Sequence, residues 1–280
     1  MTTNERTSGN DMSPEAVLAR AVAARADIYP EWSYVIEATP ELFELLQKTG
    51  GYFHKYKGQG STADGLSEQM RELIPTPALC AKPDVRYAAN HVRKMYRMGL
   101  TNRVIFEAAS AFSVVTGFST VAHTAEAVLE ANNPAYPFGK LPEGGAPETL
   151  TPFPEMTIGR SRAGNENKSE SRINAPEWQY ALSLEEEFAR RATGWADYCL
   201  HADGAGDSDA VLGAGPRELI AVAAFCSRGL VDMAADHIRR AYDYGMTRTH
   251  VLDAIISVLP MTGIVTAELG LRAIQQAERS

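Results

Sequence analysis

Glutamate and histidine recur at one fixed spacing in two places along the chain. Glu72 precedes His91 by 19 residues, and Glu218 precedes His237 by the same interval. A carboxylate that holds a histidine fixes the tautomer and orientation of the imidazole and raises its basicity, which suits proton transfer near neutral pH. The alternative is a carboxylate that only accepts a hydrogen bond from a histidine within a helical core, because duplication copies structural features as faithfully as catalytic ones. The spacing alone leaves both interpretations open.

These residues belong to an internal repeat. Residues 71–117 align with residues 217–263 at a constant offset of 146, giving 17 identities in 47 positions without a gap. Unrelated sequence would give about three identities by composition. An ungapped match predicts that both copies keep the same three-dimensional frame, so chemistry is sought at shared positions. The shared polar pairs include Arg71 and Arg217, Glu72 and Glu218, Cys80 and Cys226, His91 and His237, and Tyr96 and Tyr242.

The elements that must position these side chains are helices. Apolar residues at three- and four-residue spacing predict three amphipathic helices in the second repeat, over about 219–226, 230–241 and 251–259. With a turn near Gly229, Glu218 and His237 lie at heights of about 16 and 12 Å in an antiparallel helix pair, so contact is predicted. In the first repeat the corresponding turn lies near Pro83.

Two prolines distinguish the first repeat from the second. Pro75 and Pro77 are expected to interrupt the helix that carries Glu72, whereas no proline interrupts the helices around Glu218 and His237. The pair of the second repeat is therefore expected to be the better preserved site.

The composition is that of a globular protein with two related halves. The chain has 280 residues, of which 45% are hydrophobic and 22% charged, and no apolar run approaches the roughly 18 residues of a membrane span. The net charge of -8 argues against nucleic-acid binding, and three scattered cysteines favour neither a disulfide framework nor a metal knuckle. Together with a polar tail at 1–12 that is expected to be disordered, these features predict a cytoplasmic protein.

The expected fold class is all-α, because no window alternates with period two. Two helical domains are predicted at 13–131 and 177–280, with helices over about 14–26 and 40–49 at the start of the first. The segment 132–176 between them is rich in proline and is either a linker or a functional lid.

The remaining shared side chains have plainer explanations. Arg71 and Arg217 either hold a substrate carboxylate or pair with Glu72, Glu218 or a neighbouring helix. Cys80 and Cys226 lie about 7 Å in height from the histidine level, which favours buried core thiols over nucleophiles. The arginine and lysine clusters at 93–94 and 239–240 are interpreted as solvated helix faces.

The repeat resembles the carboxymuconolactone decarboxylase and alkylhydroperoxidase D-like superfamily over about 60 residues in each half. The segments that carry the likeness are 217–220 (RELI), 235–241 (ADHIRRA) and 244–247 (YGMT) with Gly263 in the second repeat, and 71–74 (RELI), 90–92 (NHV) and 98–101 (MGLT) with Gly117 in the first. The resemblance implies all-helical domains that assemble into rings, commonly of six family units. A chain with two units would then form a homotrimer that imitates a hexamer.

The resemblance also separates two chemistries. Peroxidase members of the superfamily carry cysteines seven and four residues before the family histidine, where this chain has Leu230 and Met233, and Asp84 and Tyr87. Disulfide-based peroxide reduction needs both thiols, so this activity is excluded.

The likeness implies instead a lyase without cofactor or metal, most simply a decarboxylase acting on a small carboxylate or lactone. His237 and His91 would be the proton shuttles, Glu218 and Glu72 would orient them, and Arg217 or Arg71 would hold the carboxylate. An isomerase or hydrolase of related chemistry, or a non-catalytic helical oligomer or binding protein, remains the alternative.

Overall fold

The protein is all-helical. A computed structural model describes residues 11–25, 28–53, 64–159, 172–200 and 210–279; helix accounts for 72% of these described residues, which contain no strand. Residues 1–10 of the predicted tail lie outside these ranges. The helices are α1 (Pro14–Arg25), α2 (Pro30–Ala38), α3 (Pro40–Phe53), α4 (Glu68–Leu73), α5 (Pro75–Cys80), α6 (Val85–Arg97), α7 (Asn102–Thr116), α8 (Ser119–Asn132), α9 (Pro176–Leu184), α10 (Glu186–Leu200), α11 (Ala214–Ser227), α12 (Val231–Asp243), α13 (Arg248–Ser257), α14 (Leu259–Thr262) and α15 (Ile264–Ala277).

The helices of the two repeats begin at corresponding positions. Helix α6 starts at Val85 and α12 at Val231, which are 146 residues apart, and α8 and α15 follow them in the same order. Pro75 lacks the N–H that an unbroken helix requires, and the chain forms α4 and α5 where the second repeat forms the single helix α11. The predicted interruption in the first repeat is confirmed.

Both repeats contribute to one hydrophobic core, while the first three helices form a smaller cluster of their own around Val17, Ile36 and Phe43. Helix α3 continues through Gly50 and Gly51 to Phe53, although the sequence predicted its end at residue 49. Glycine costs a helix only about 1 kcal/mol, and burial of Gly51 favours continuation over termination.

The segment between the repeats is packed against both of them over residues 133–159, here called the strap. Arg93 of α6 donates to five main-chain carbonyls around its start, with donor–acceptor distances between 2.6 and 3.2 Å. Only 4% of Arg93 is exposed, so the interpretation of this arginine as part of a solvated face was wrong. Its planar guanidinium satisfies carbonyls that proline-rich chain cannot pair within a helix. The five acceptors are the carbonyls of Ala131, Asn133, Tyr136, Phe138 and Gly139.

The C-terminal end of the strap forms hydrogen bonds at the starts of α4 and α11, the helices that carry Glu72 and Glu218. The buried carboxylate of Glu155 accepts from N and Oγ of Ser67, both at 2.6 Å, at the N-cap of α4. The N–H of Gly213 donates to the carbonyl of Met156 at 2.8 Å, just before α11. A Cβ at Gly213 would lie 2.3 Å from the carbonyl oxygen of Ile158, so close approach of the strap requires glycine there.

Candidate functional site

The predicted contact between glutamate and histidine is present in the first repeat. Nδ1 of His91 on α6 lies 2.7 Å from Oε2 of Glu72 on α4. Since a carboxylate only accepts, Nδ1 carries the proton and Nε2 of a neutral ring keeps its lone pair. The glutamate side chain is 1% exposed and the histidine side chain 16% exposed. This imidazole therefore has a buried anchor and a face that solutes can reach.

The same contact is present in the second repeat but is enclosed. Nδ1 of His237 on α12 bonds Oε2 of Glu218 on α11, and the two side chains are 2% and 0% exposed. The ring of Phe225 stacks on the imidazole with centroids 4.6 Å apart. Leu79 stands at the position of Phe225 in the first repeat. The second imidazole is thus covered by an aromatic ring that the first repeat lacks.

A lysine joins the first pair and was missed by the sequence analysis. Nζ of Lys94 contacts Oε1 of Glu72, and it lies 4.0 Å from Oε1 of Glu68. The sequence signal was available, because Lys94 lies one helical turn after His91 and so shares its face of α6. The interpretation of Lys94 as part of a solvated helix face overlooked this spacing.

Arg217, predicted as a possible carboxylate anchor, is committed to the contact between the repeats. Its Nη2 lies 2.8 Å from Oε2 of Glu107 on α7, Nε donates to the carbonyl of Leu212 at 3.0 Å, and Nη1 donates to the carbonyl of Cys199 at 2.9 Å. Burial lowers the pKa of Arg217, and the charge of Glu107 acts in the opposite direction. Of the two alternatives for this arginine, the structure shows pairing with a neighbouring helix.

Arg71 takes the corresponding place in the first repeat. It is 4% exposed and Nη1 donates to the carbonyl of Leu66, as Arg217 does to Leu212. The N–H of Leu66 donates to Oδ2 of Asp253 at 3.0 Å, mirroring the bond from Leu212 to Glu107 at 2.7 Å. Each repeat therefore contributes one acidic side chain that accepts a hydrogen bond just before the glutamate-bearing helix of the other repeat.

These two acids were not singled out from the sequence because they are not identical. Glu107 and Asp253 nevertheless occupy aligned positions and are 6% and 1% exposed. Comparison of charge rather than identity in the repeat would have found them.

The cysteines are buried as predicted. Burial raises the pKa of Cys80 to about 11 and that of Cys226 to about 12. A thiol with so high a pKa carries almost no thiolate near neutral pH, and the thiolate is the reactive species. Neither thiol is suited to nucleophilic chemistry.

A surface cleft of about 580 Å³ lies outside α12 and α15, and neither pair lines it. Within the described ranges, no group of three or more histidine, cysteine, aspartate or glutamate side chains is placed to hold a metal ion. None of the described helices is both long enough and apolar enough to cross a membrane.

No protein-family model matches the chain, and a search of curated proteins finds no match. The geometry of the two pairs must therefore support any assignment of function.

Proposed function

We propose that the protein is a cofactor-independent lyase whose proton-transfer group is the histidine of a buried Glu–His pair, acting on a small carboxylate or lactone. The observation that supports it is the first pair, in which His91 is anchored by Glu72 yet remains reachable. The proposal includes the family likeness, in which each half is an alkylhydroperoxidase D-like domain and the chain assembles into a homotrimer.

The pair provides the proton that decarboxylation requires. When carbon dioxide leaves a carboxylate, the electrons of the broken C–C bond remain on carbon and are taken up by an adjacent lactone system. An imidazolium at His91 then protonates that carbon through Nε2, and water restores the proton to the ring. Glu72 holds Nδ1–H throughout and balances the charge, so the ring reacts without turning.

The proposal places turnover in the first repeat, although the sequence favoured the second. His237 is 2% exposed and stacks against Phe225, so a substrate reaches it only if side chains around the ring move. The sequence-based expectation for the second repeat depends on its uninterrupted helix. The break before Pro75 leaves the Glu72–His91 contact intact at 2.7 Å, so the proline does not disqualify the first repeat.

The arginines have no part in the proposed reaction. Arg217 is occupied by Glu107 and two carbonyls, and Arg71 is buried at the mirrored position. Lys94 contacts the carboxylate that holds His91 and is 21% exposed, so it reaches the surface beside the proposed chemistry.

A non-catalytic assembly is the second candidate, favoured by the enclosure of the second pair.

Measurement of turnover distinguishes the lyase from the non-catalytic assembly. The wild-type chain and a His91→Gln/His237→Gln variant are incubated with carboxylated lactones, and released carbon dioxide is measured alongside helical content and oligomer size. We expect release from the wild type and loss of at least about 100-fold in a folded variant. Equal release by both proteins would refute the proposal.

A further inference from the structure

The two pairs differ in what the residue one turn after each histidine does. Lys94 contacts the carboxylate of Glu72, whereas Arg240, its aligned counterpart, forms no ion pair with any residue that the structure describes. Nη1 of Arg240 is buried without a hydrogen-bond partner within the described ranges. The carboxylate of the first pair is therefore shared between an imidazole and an ammonium group, and Arg240 does not reproduce this arrangement.

We propose that Lys94 is a positioning residue of the first site: by neutralising Glu72 it weakens the hold of that carboxylate on the imidazolium of His91 and so makes the ring a better proton donor. An ionised carboxylate alone stabilises the charged ring and makes it a weaker acid. A cation on the same carboxylate offsets this effect. The proposal rests on the proposed function for its catalytic consequence but not for its electrostatic one.

The groups around His91 determine how much of the effect belongs to Lys94. Helix α6 packs against α4, α5 and α8. Besides His91, the ionisable side chains of these helices are Glu68, Arg71 and Glu72 on α4, Cys80 on α5, Arg86, Tyr87, Arg93, Lys94, Tyr96 and Arg97 on α6, and His123, Glu126 and Glu130 on α8. Cys80 is neutral near pH 7, because burial raises its pKa to about 11. Nδ1 of His123 bonds the carbonyl of Cys80 at 2.9 Å, and Arg97 donates to the carbonyl of Lys140 at 2.6 Å while its positive charge also interacts with the charge of Glu72. Lys94 contacts the carboxylate of Glu72 directly through Nζ.

Titration of the histidines by NMR tests the electrostatic claim. The ring signals of His91 and His237 are assigned with the single His→Gln variants, and the two pKa values are measured in the wild type, Lys94→Met, Lys94→Arg and Arg240→Met. Removal of the ammonium charge should raise the pKa of His91 by about one unit. Lys94→Arg should restore the wild-type value, and Arg240→Met, the matched control, should leave His91 within about 0.3 units and move His237 by less than Lys94→Met moves His91.

A shift of His91 below about 0.3 units in a folded Lys94→Met protein would overturn the proposal, as would an equal effect of Arg240→Met on His237. Lys94 is 21% exposed, so the fold should tolerate the change, and Lys94→Gln provides a second variant should methionine disturb it.

The pH dependence of turnover separates this claim from the proposed function. Because the proton donor must be charged, activity is lost as pH rises through the pKa of His91. In Lys94→Met the alkaline limb should move up by about one unit, and the plateau below it should fall roughly threefold because the donor is weaker. If the pKa of His91 shifts in Lys94→Met but no protein turns over substrate, the proposed function is refuted and the electrostatic role of Lys94 stands. If the wild type turns over substrate but the pKa of His91 does not shift in Lys94→Met, the proposed function stands and the role of Lys94 is refuted.

Discussion

The two Glu–His pairs have the same residues, the same spacing and the same bond between Nδ1 and Oε2, yet they lie in different surroundings. His91 is 16% exposed beside Lys94, while His237 is 2% exposed beneath Phe225. Two neighbouring side chains also differ: Phe225 stacks on His237 where the aligned residue of the first repeat is Leu79, and Lys94 contacts Glu72 where the aligned residue of the second repeat is Arg240. Duplication preserved the pair, and the side chains around it determine whether a solute can reach it.

The largest loss of stability should come from removing the buried acid that each repeat contributes to the other, rather than from changing the Glu–His pairs. Glu107→Gln would leave Arg217 charged and buried without its carboxylate partner, so the free energy of unfolding should fall by about 3–5 kcal/mol. Urea unfolding measures this, and Asp253→Asn is the matched change in the other repeat. Losses of unfolding free energy below about 1 kcal/mol for both variants would show that Glu107 and Asp253 do not stabilise the contact between the repeats.

The two Glu–His pairs should contribute differently to the free energy of unfolding. Glu218→Gln removes the acceptor of a buried histidine and should cost about 2–3 kcal/mol of unfolding free energy. Glu72→Gln affects a histidine and a lysine that reach solvent, and should cost about 1 kcal/mol. Urea titration of both variants compares them. A larger loss for Glu72→Gln would contradict the contrast in burial.

The smallest expected effect concerns the reactivity of the two aligned cysteines, which should be similarly low in both repeats. The raised pKa values of Cys80, about 11, and Cys226, about 12, mean that thiolate appears only as pH rises toward those values. At pH 8 less than about one thiol in 1,000 is ionised. Both should resist Ellman's reagent in the folded protein and react on unfolding. Rapid labelling of either thiol at pH 8 would reopen a thiol-based activity.

Periodicity and repetition predicted the helices and the contact of each pair well, because both depend on local spacing along the chain. Apolar spacing predicted a helix over 230–241, and α12 spans Val231–Asp243. Helix rise placed Glu218 level with His237, as observed. These are short-range properties of helical geometry.

Partners distant in sequence could not be predicted in this way. The sequence of α6 predicts a solvated face at Arg93, because nothing in that helix shows that the strap folds back over it. Arg217 pairs with Glu107, 110 residues away, across the interface of the repeats. The enclosure of His237 depends on the packing of Phe225, whose ring orientation is not encoded in local spacing. The preference for the second site therefore rested on helix continuity alone.

The central claim is that the exposed pair reacts and the enclosed pair supports the fold. The most direct measurement compares carbon dioxide release from a carboxylated lactone by His91→Gln and His237→Gln at matched helical content. We expect His91→Gln to lose at least about 100-fold in kcat/KM and His237→Gln to lose less than about threefold per folded molecule. The reverse order, or equal losses in both variants, would contradict the assignment of the reaction to the first repeat.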